Sequence, residues 1–158
     1  MKYLVVVDLQ EAFITYPIGA KIHRDCLEYI EQHRKNYDAV IALIYENNGS
    51  NLNVERLLHY NACKQPQKVS FIADKIIKHA GYVNTSLLDF KSEDEVDIIG
   101  FDTDACVLST AFSVFDIGCN FRILKDLCWS SGGKIMHYTG LAVMERNFGD
   151  AVTTSEEV

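Results

Sequence analysis

The chain has no C-x-x-C pair, no long basic run, no G-x-G-x-x-G or P-loop pattern, and no apolar segment long enough to span a bilayer. Each absence removes a class of function. Five cysteines, an odd number scattered along the sequence, fit a reducing cytoplasm better than a disulfide framework or a zinc knuckle. The net charge of -7 without basic clusters argues against nucleic acid or an anionic membrane as partner. The opening apolar run is stopped at once by Asp8, which is too short for a signal peptide. There is no internal repeat, low-complexity tract or dividing linker, so residues 1–158 read as one cytoplasmic domain acting on a small molecule.

What is present is an alternation of apolar strands and amphipathic helices. Tyr3 to Val7 is rich in valine and reads as a central parallel strand covered on both faces. Phe13 to Gly19 reads as loop, and Ile22 to Tyr37 as a helix with one charged face. Asp38 to Tyr45 is the second strand, Glu46 to Asn51 a turn, and Asn53 to Tyr60 a short helix. Ser70 to Lys75 suggests one helical turn and Lys75 to Lys78 a short strand. Val96 to Ile99 is a strand leading to a helix over Asp104 to Asp116, on which Ala105, Leu108, Ala111, Phe112 and Phe115 trace an apolar face broadened by Val107 and Val114. Phe121 to Leu124 is the next strand, followed by a polar loop to Gly133, a helix from Ile135 to Phe148, and a last edge strand over Ala151 to Thr154. Such alternation implies a mostly parallel sheet with helices on both faces.

In sheets of this kind, sites form at the carboxyl ends of the strands. Cys106 falls in the first turn of a helix that follows a strand and a polar turn. Orphan N–H groups and the helix dipole at such a position would lower a thiol's pKa and stabilise an oxyanion, which marks Cys106 as a candidate nucleophile rather than buried filler. Asp8 ends the first strand, as a general base or as the cap of a turn. Lys78 is a surface lysine unless it reaches the cleft, where its charge would keep Asp8 ionised. His79 beside it is a weaker candidate for the pocket. Phe13, Tyr82 and Trp129 are candidate walls for a small apolar substrate, with core packing the alternative for each.

The segments that carry this chemistry resemble the isochorismatase-like cysteine hydrolases, the family of nicotinamidases and related amidohydrolases. The resemblance lies in Val5-Val6-Val7-Asp8-Leu9-Gln10 with Phe13, in Lys78 with Tyr82, and in Gly100-Phe101-Asp102-Thr103-Asp104-Ala105-Cys106-Val107 with Thr110, Ala111 and Gly118. It continues through Phe121 to Ser131 and Phe148 to Glu157. It implies a three-layer α/β/α fold whose five or six strands run in the order 3-2-1-4-5(-6). It further implies a catalytic triad of Asp8, Lys78 and Cys106, with Lys75 the reserve for the lysine. A cis peptide between Phe101 and Asp102 is expected, with the N–H groups of Asp102 and Cys106 as oxyanion hole. The implied activity is hydrolysis of a C–N bond in a small amide, carbamoyl or ureido compound through a cysteine thioester, in a dimer or tetramer.

Nicotinamidases of this family hold a metal through an aspartate and histidines after the second strand. Here the corresponding stretch is Tyr45-Glu46-Asn47-Asn48-Gly49-Ser50-Asn51, with no histidine before His59, so no metal and no cofactor are expected. The alternative to an enzyme is a catalytically silent binding or assembly protein on the same fold.

Overall fold

The strands are β1 (Lys2–Val7), β2 (Ala39–Tyr45), β3 (Lys75–His79), β4 (Glu95–Phe101), β5 (Asn120–Trp129) and β6 (Val152–Thr153). The helices are α1 (Ile18–His33), α2 (Leu52–Leu58), α3 (Cys106–Ile117) and α4 (Lys134–Phe148). In the computed structural model, which describes residues 1–158, the six strands form one all-parallel sheet in the order β3-β2-β1-β4-β5-β6. This is the three-layer α/β arrangement and strand order expected from the sequence. No helix is long and apolar enough to cross a membrane.

Strand periodicity sorts the core into two layers. Val5 and Val7 of β1 pack with Val107, Ala111 and Val114 of α3 and with Leu141 and Met144 of α4. Leu4 and Val6 point the other way, into a second cluster with Cys26, Tyr29 and Ile30 of α1. All four β1 side chains are fully buried, each contributing roughly 1.5–3 kcal/mol of transfer free energy. Right-handed crossovers require this division. The chain leaves β1 in one direction to build β2 and leaves β4 in the other to build β5, so the intervening helices fall on opposite faces. Strand order therefore reverses between β1 and β4, and the crevice at their carboxyl ends is the topological switch point.

Several local expectations are corrected. Helix α1 starts at Ile18 rather than Ile22, with Pro17 as its N-cap; a proline loses little at a helix start because its missing N–H would be unbonded there. Residues 70–75 form no helical turn, and the strand that follows extends to His79. The polar stretch after Leu124 is not loop: β5 continues to Trp129, with an irregularity between Ile98 and Gly100 that realigns Gly100 with Cys128 and Phe101 with Trp129. On α3 the inward face is Val107, Thr110, Ala111 and Val114. Phe112 and Phe115 lie outside it, at 37% and 53% exposure, in an aromatic cluster with Phe121 and Phe148.

Beside the crevice β4 runs tight against β1 at a glycine. Gly100 has φ of 122°, and a Cβ built there would sit 2.1 Å from the Val7 carbonyl oxygen. Only glycine lets β4 end against β1 in this way.

Candidate active site

Three side chains converge at the carboxyl end of the sheet. Asp8 follows β1 with φ of 46°, a left-handed conformation that aspartate tolerates. Its N–H still donates to Leu43 O at 2.9 Å, which ties the turn to β2. His79 is the last residue of β3, and Cys106 opens α3. One carboxylate oxygen of Asp8, one ring nitrogen of His79 and the Cys106 sulfur lie within 4.8 Å of one another, and all three residues are buried.

The histidine is held at both nitrogens. Nε2 lies 2.7 Å from Asp8 Oδ1, and Nδ1 lies 2.7 Å from Gly81 O. The Gly81 carbonyl can only accept, so Nδ1 carries hydrogen, and one further proton lies between Nε2 and Asp8 Oδ1; with that proton on the ring, His79 is an imidazolium. Burial works against that charge, but the hydrogen bond to Asp8, its negative charge and the Gly81 carbonyl outweigh it and set the histidine's pKa above its ordinary value. Tyr45 of β2, in register with His79, closes over the ring edge-on with centroids 5.8 Å apart.

Cys106 differs electrostatically from what a helix start alone predicts. Burial raises the thiol's pKa well above the usual range, and the nearby carboxylates of Asp8, Asp102 and Asp104 raise it further. The resting form is the thiol, and the proton must leave when the sulfur reacts. Asp8 Oδ2, the carboxylate oxygen that His79 does not use, is fully buried and has no hydrogen-bond partner.

The turn before α3 is braced on several sides. The Phe101–Asp102 peptide is cis. Asp102 accepts from Ser131 N at 2.8 Å and Ser131 Oγ at 2.6 Å, and Asp104 accepts from Ser130 Oγ at 2.6 Å. Burial pushes the Asp102 carboxyl up to about 6 against those two hydrogen bonds, with Asp104 and Asp8 adding to the rise. The Asp102 carbonyl accepts from Ala105 N and Val107 N, whereas the N–H groups of Asp102 and Cys106 have no partner among the turn and cap bonds. Thr103 Oγ1 and His137 Nδ1 are 2.7 Å apart, which joins the turn to α4.

An aromatic set adjoins the site through Tyr45. Phe13, Tyr45 and Tyr60 form a closed set with ring centroids 5.9–6.0 Å apart. Tyr60 Oη is the only buried side-chain polar atom besides Asp8 Oδ2 that lacks a partner. Gln10 fastens this wall by donating to Tyr45 O and accepting from Tyr45 N, at 2.9 and 2.8 Å. Gln10 falls in the opening segment that carries the family resemblance, whereas Tyr60 has no periodic signal and nothing in the sequence alone marks it.

The fold itself matches known proteins. The isochorismatase domain pattern fits residues 60–157. The chain belongs to the isochorismatase family. No match was found among proteins of curated function. Among solved structures, the chain resembles nicotinamidase PncA from Bacillus subtilis at 14% identity, covering 96% of this chain and 98% of that one with a TM-score of 0.75. An isochorismatase-like hydrolase from Alkaliphilus metalliredigens superposes at 19% identity over 99% and 96% of the two chains, also with a TM-score of 0.75. Nicotinamidase SaPncA from Staphylococcus aureus is 23% identical over 98% and 97%, with a TM-score of 0.66.

Within that family fold, Lys78 does not occupy the position expected of it. Its side chain is half exposed and its Nζ lies 3.2 Å from both carboxylate oxygens of Glu46. Side chains alternate along a strand, so the residue that faces Asp8 is its neighbour His79. Lys75, the reserve, begins β3 at the end away from His79 and pairs with Asp89 at 3.0 Å. Tyr82 is largely exposed. Trp129 packs at a tilt against His137, with ring centroids 4.5 Å apart, and lines a separate cleft of about 440 Å³ with Ile18, Ile22 and Tyr138, which contains none of the three convergent residues. Of the three aromatic candidates, Phe13 alone joins the wall around Tyr45.

The residues after β2 do not suit the imidazole-rich metal site of nicotinamidases. Glu46 Oε1 accepts from Gln67 N as well as from Lys78, and Asn47 Oδ1 closes the turn by accepting from Gly49 N and Asn51 N. His59 is the left-handed cap at the end of α2. These groups are spent on the loop's own structure.

Proposed function

We propose that this protein hydrolyses a C–N bond in a small amide, carbamoyl or ureido compound through a thioester on Cys106. The observation that carries the reading is the convergence, at the switch point of the sheet, of a buried thiol, a histidine ring nitrogen and one oxygen of Asp8 within 4.8 Å of one another, with the second oxygen of that carboxylate buried and unpartnered.

Asp8 Oδ2 takes the thiol proton as the sulfur attacks the substrate carbonyl. The new thiolate is born next to the His79 imidazolium, which offsets the burial that disfavours the anion. The carbonyl oxygen becomes an oxyanion and meets the N–H groups of Asp102 and Cys106. When the tetrahedral intermediate collapses, Asp8 passes its proton to the departing nitrogen, and ammonia or an amine leaves. Water then attacks the thioester and gives a proton to Asp8, the acid product forms, and the thiol is restored from Asp8. His79 keeps both of its protons throughout. Its fixed positive charge serves the electrostatic role that the family resemblance gives to a lysine.

Substrate recognition falls to the aromatic wall. Phe13, Tyr45 and Tyr60 offer apolar faces, and the unpartnered Tyr60 hydroxyl would supply one directional hydrogen bond.

Release of ammonia or amine across a panel of small primary amides, carbamoyl and ureido compounds tests the reading. A turned-over substrate should leave an acyl group on Cys106, visible as an intact-mass increase after acid quench. Cys106→Ala and Asp8→Asn should each abolish both signals. Hydrolysis that survives Cys106→Ala overturns it.

A further inference from the structure

The same three buried atoms have a second chemistry. We propose that Asp8, His79 and Cys106 form a binding site for a thiophilic divalent cation of the zinc class, and that the cation and the substrate exclude one another. The claim of mutual exclusion rests on the function proposed above, whereas the claim of binding does not.

A carboxylate oxygen, an imidazole nitrogen and a sulfur are a ligand set that zinc accepts, with bonds of about 2.0–2.3 Å. Three atoms no more than 4.8 Å apart fit inside a circle of radius 4.8 Å divided by √3, about 2.8 Å. A cation near the centre therefore needs the ligands to move inward by about 0.5–0.8 Å. Asp8 and His79, now 2.7 Å apart, separate slightly as the metal replaces the hydrogen between them.

The surroundings favour coordination as well as distance does. His79 Nδ1–H donates to the Gly81 carbonyl at 2.7 Å, which fixes the ring and turns Nε2 toward the cluster. A backbone acceptor on the far nitrogen is the usual outer support of a metal-bound histidine. Asp8 Oδ2 is a buried oxygen with free lone pairs and no protein partner. The three residues come from the ends of β1 and β3 and the start of α3, so their positions are set by the sheet rather than by a mobile loop. Loading releases two protons to solvent, one from the thiol and one from between His79 and Asp8. A fourth tetrahedral position is left open to water or a small ligand. The site is separate from the segment after β2, whose groups do not suit a metal.

Cobalt(II) is the probe, added to the full chain after treatment with a chelator. The expected result is one cobalt per chain with tetrahedral visible bands and a thiolate charge-transfer band, displaced by one equivalent of zinc. Cys106→Ala should remove the charge-transfer band, and His79→Gln should weaken zinc binding by at least about 100-fold. Cys119→Ser, at the opposite end of the sheet, should change neither. The stoichiometric zinc form should lose amide hydrolysis and regain it on chelation. Normal hydrolysis with no cobalt band and no zinc inhibition overturns this proposal and leaves the hydrolase standing. A charge-transfer band that survives Cys106→Ala overturns it too. A Cys106-dependent band in a protein that hydrolyses no amide upholds the metal site and removes the hydrolase.

Discussion

His79 Nε2 stands 2.7 Å from Asp8 Oδ1, while the ammonium of Lys78, one residue earlier, lies on the outer face against Glu46. The buried positive charge beside the carboxylate is thus an imidazolium. Lysine brings a flexible point charge, whereas this ring is clamped at both nitrogens and cannot swing away.

If the imidazolium sustains the thiolate, His79→Ala should lower kcat/KM by about 100-fold or more, the scale of one lost electrostatic stabiliser. His79→Lys should recover part of that loss by restoring a cation. Lys78→Ala should stay within about 3-fold of the parent, because the ammonium is half exposed and paired with Glu46 rather than with Asp8. Steady-state kinetics on one substrate from the amide panel reads all three. A larger loss in Lys78→Ala than in His79→Ala would reverse the assignment.

The Asp102 carboxyl, pushed up to about 6 from an ordinary 3.8, makes a prediction about stability. A carboxyl with a raised pKa holds its proton more tightly folded than unfolded. Its contribution is therefore greatest in acid and is lost as pH climbs from roughly 4 to 6, after which it stays level. The span corresponds to roughly 2–3 kcal/mol. Asp102→Asn should flatten that part of the profile and leave the protein more stable than the parent at neutral pH. Urea unfolding at half-unit pH steps measures it. A parent and variant that run parallel from pH 4 to 6 would show that Asp102 ionises freely.

Some of this was legible in the sequence for physical reasons, and some was not. Val5, Val6 and Val7 are buried on both faces, and an uninterrupted apolar run can be little else than an inner strand. Asp8 and Cys106 sit where such runs end, so their place at the crevice followed from topology. His79 did not follow. β3 is an edge strand whose residues Lys75, Ile76 and Lys78 are all exposed, so no inside–outside alternation told which of two adjacent polar residues turns inward. The second half of β5 was hidden by Lys125 and Asp126, which face outward beside a neighbour only two residues long. Tyr60 lies just past a short helix in an irregular stretch, where it packs against Phe13 and Tyr45 from distant parts of the chain.

Gly100 predicts a failure of folding rather than of chemistry. A methyl group there would meet the Val7 carbonyl oxygen at 2.1 Å and Val7 N at 2.8 Å, with φ in the region side chains avoid. Backbone cannot yield as a flexible side chain would. Gly100→Ala should cost at least about 3 kcal/mol, in the class of special-φ and overpacking substitutions. Gly133→Ala is the control, since its φ of 95° is also positive but nothing lies within 4 Å of the added carbon. Thermal unfolding that ranks the two equally would show that strain in φ, not collision, sets the cost at Gly100.

A buried polar tie between the sheet and the segment after α1 lies away from the candidate site, at Asp97. Its carboxylate is buried, accepts from Arg122 Nε at 2.8 Å and Nη2 at 3.0 Å, and also accepts from Tyr37 Oη at 2.8 Å. Tyr37 Oη is in turn 2.7 Å from Tyr29 Oη on α1. Asp97→Ala strips the partner from a guanidinium that is only one-third exposed and breaks the tyrosine pair's anchor. Removing one member of such a pair should cost about 3 kcal/mol, or a fall in Tm of about 10 °C for a chain of this size. Asp97→Asn keeps an acceptor for one donor and should cost less than half as much. Because Asp97 touches none of Asp8, His79 and Cys106, kcat/KM measured well below the new Tm should stay within about 2-fold of the parent. A variant that unfolds normally but loses turnover would mean that Asp97 is coupled to the crevice through β4.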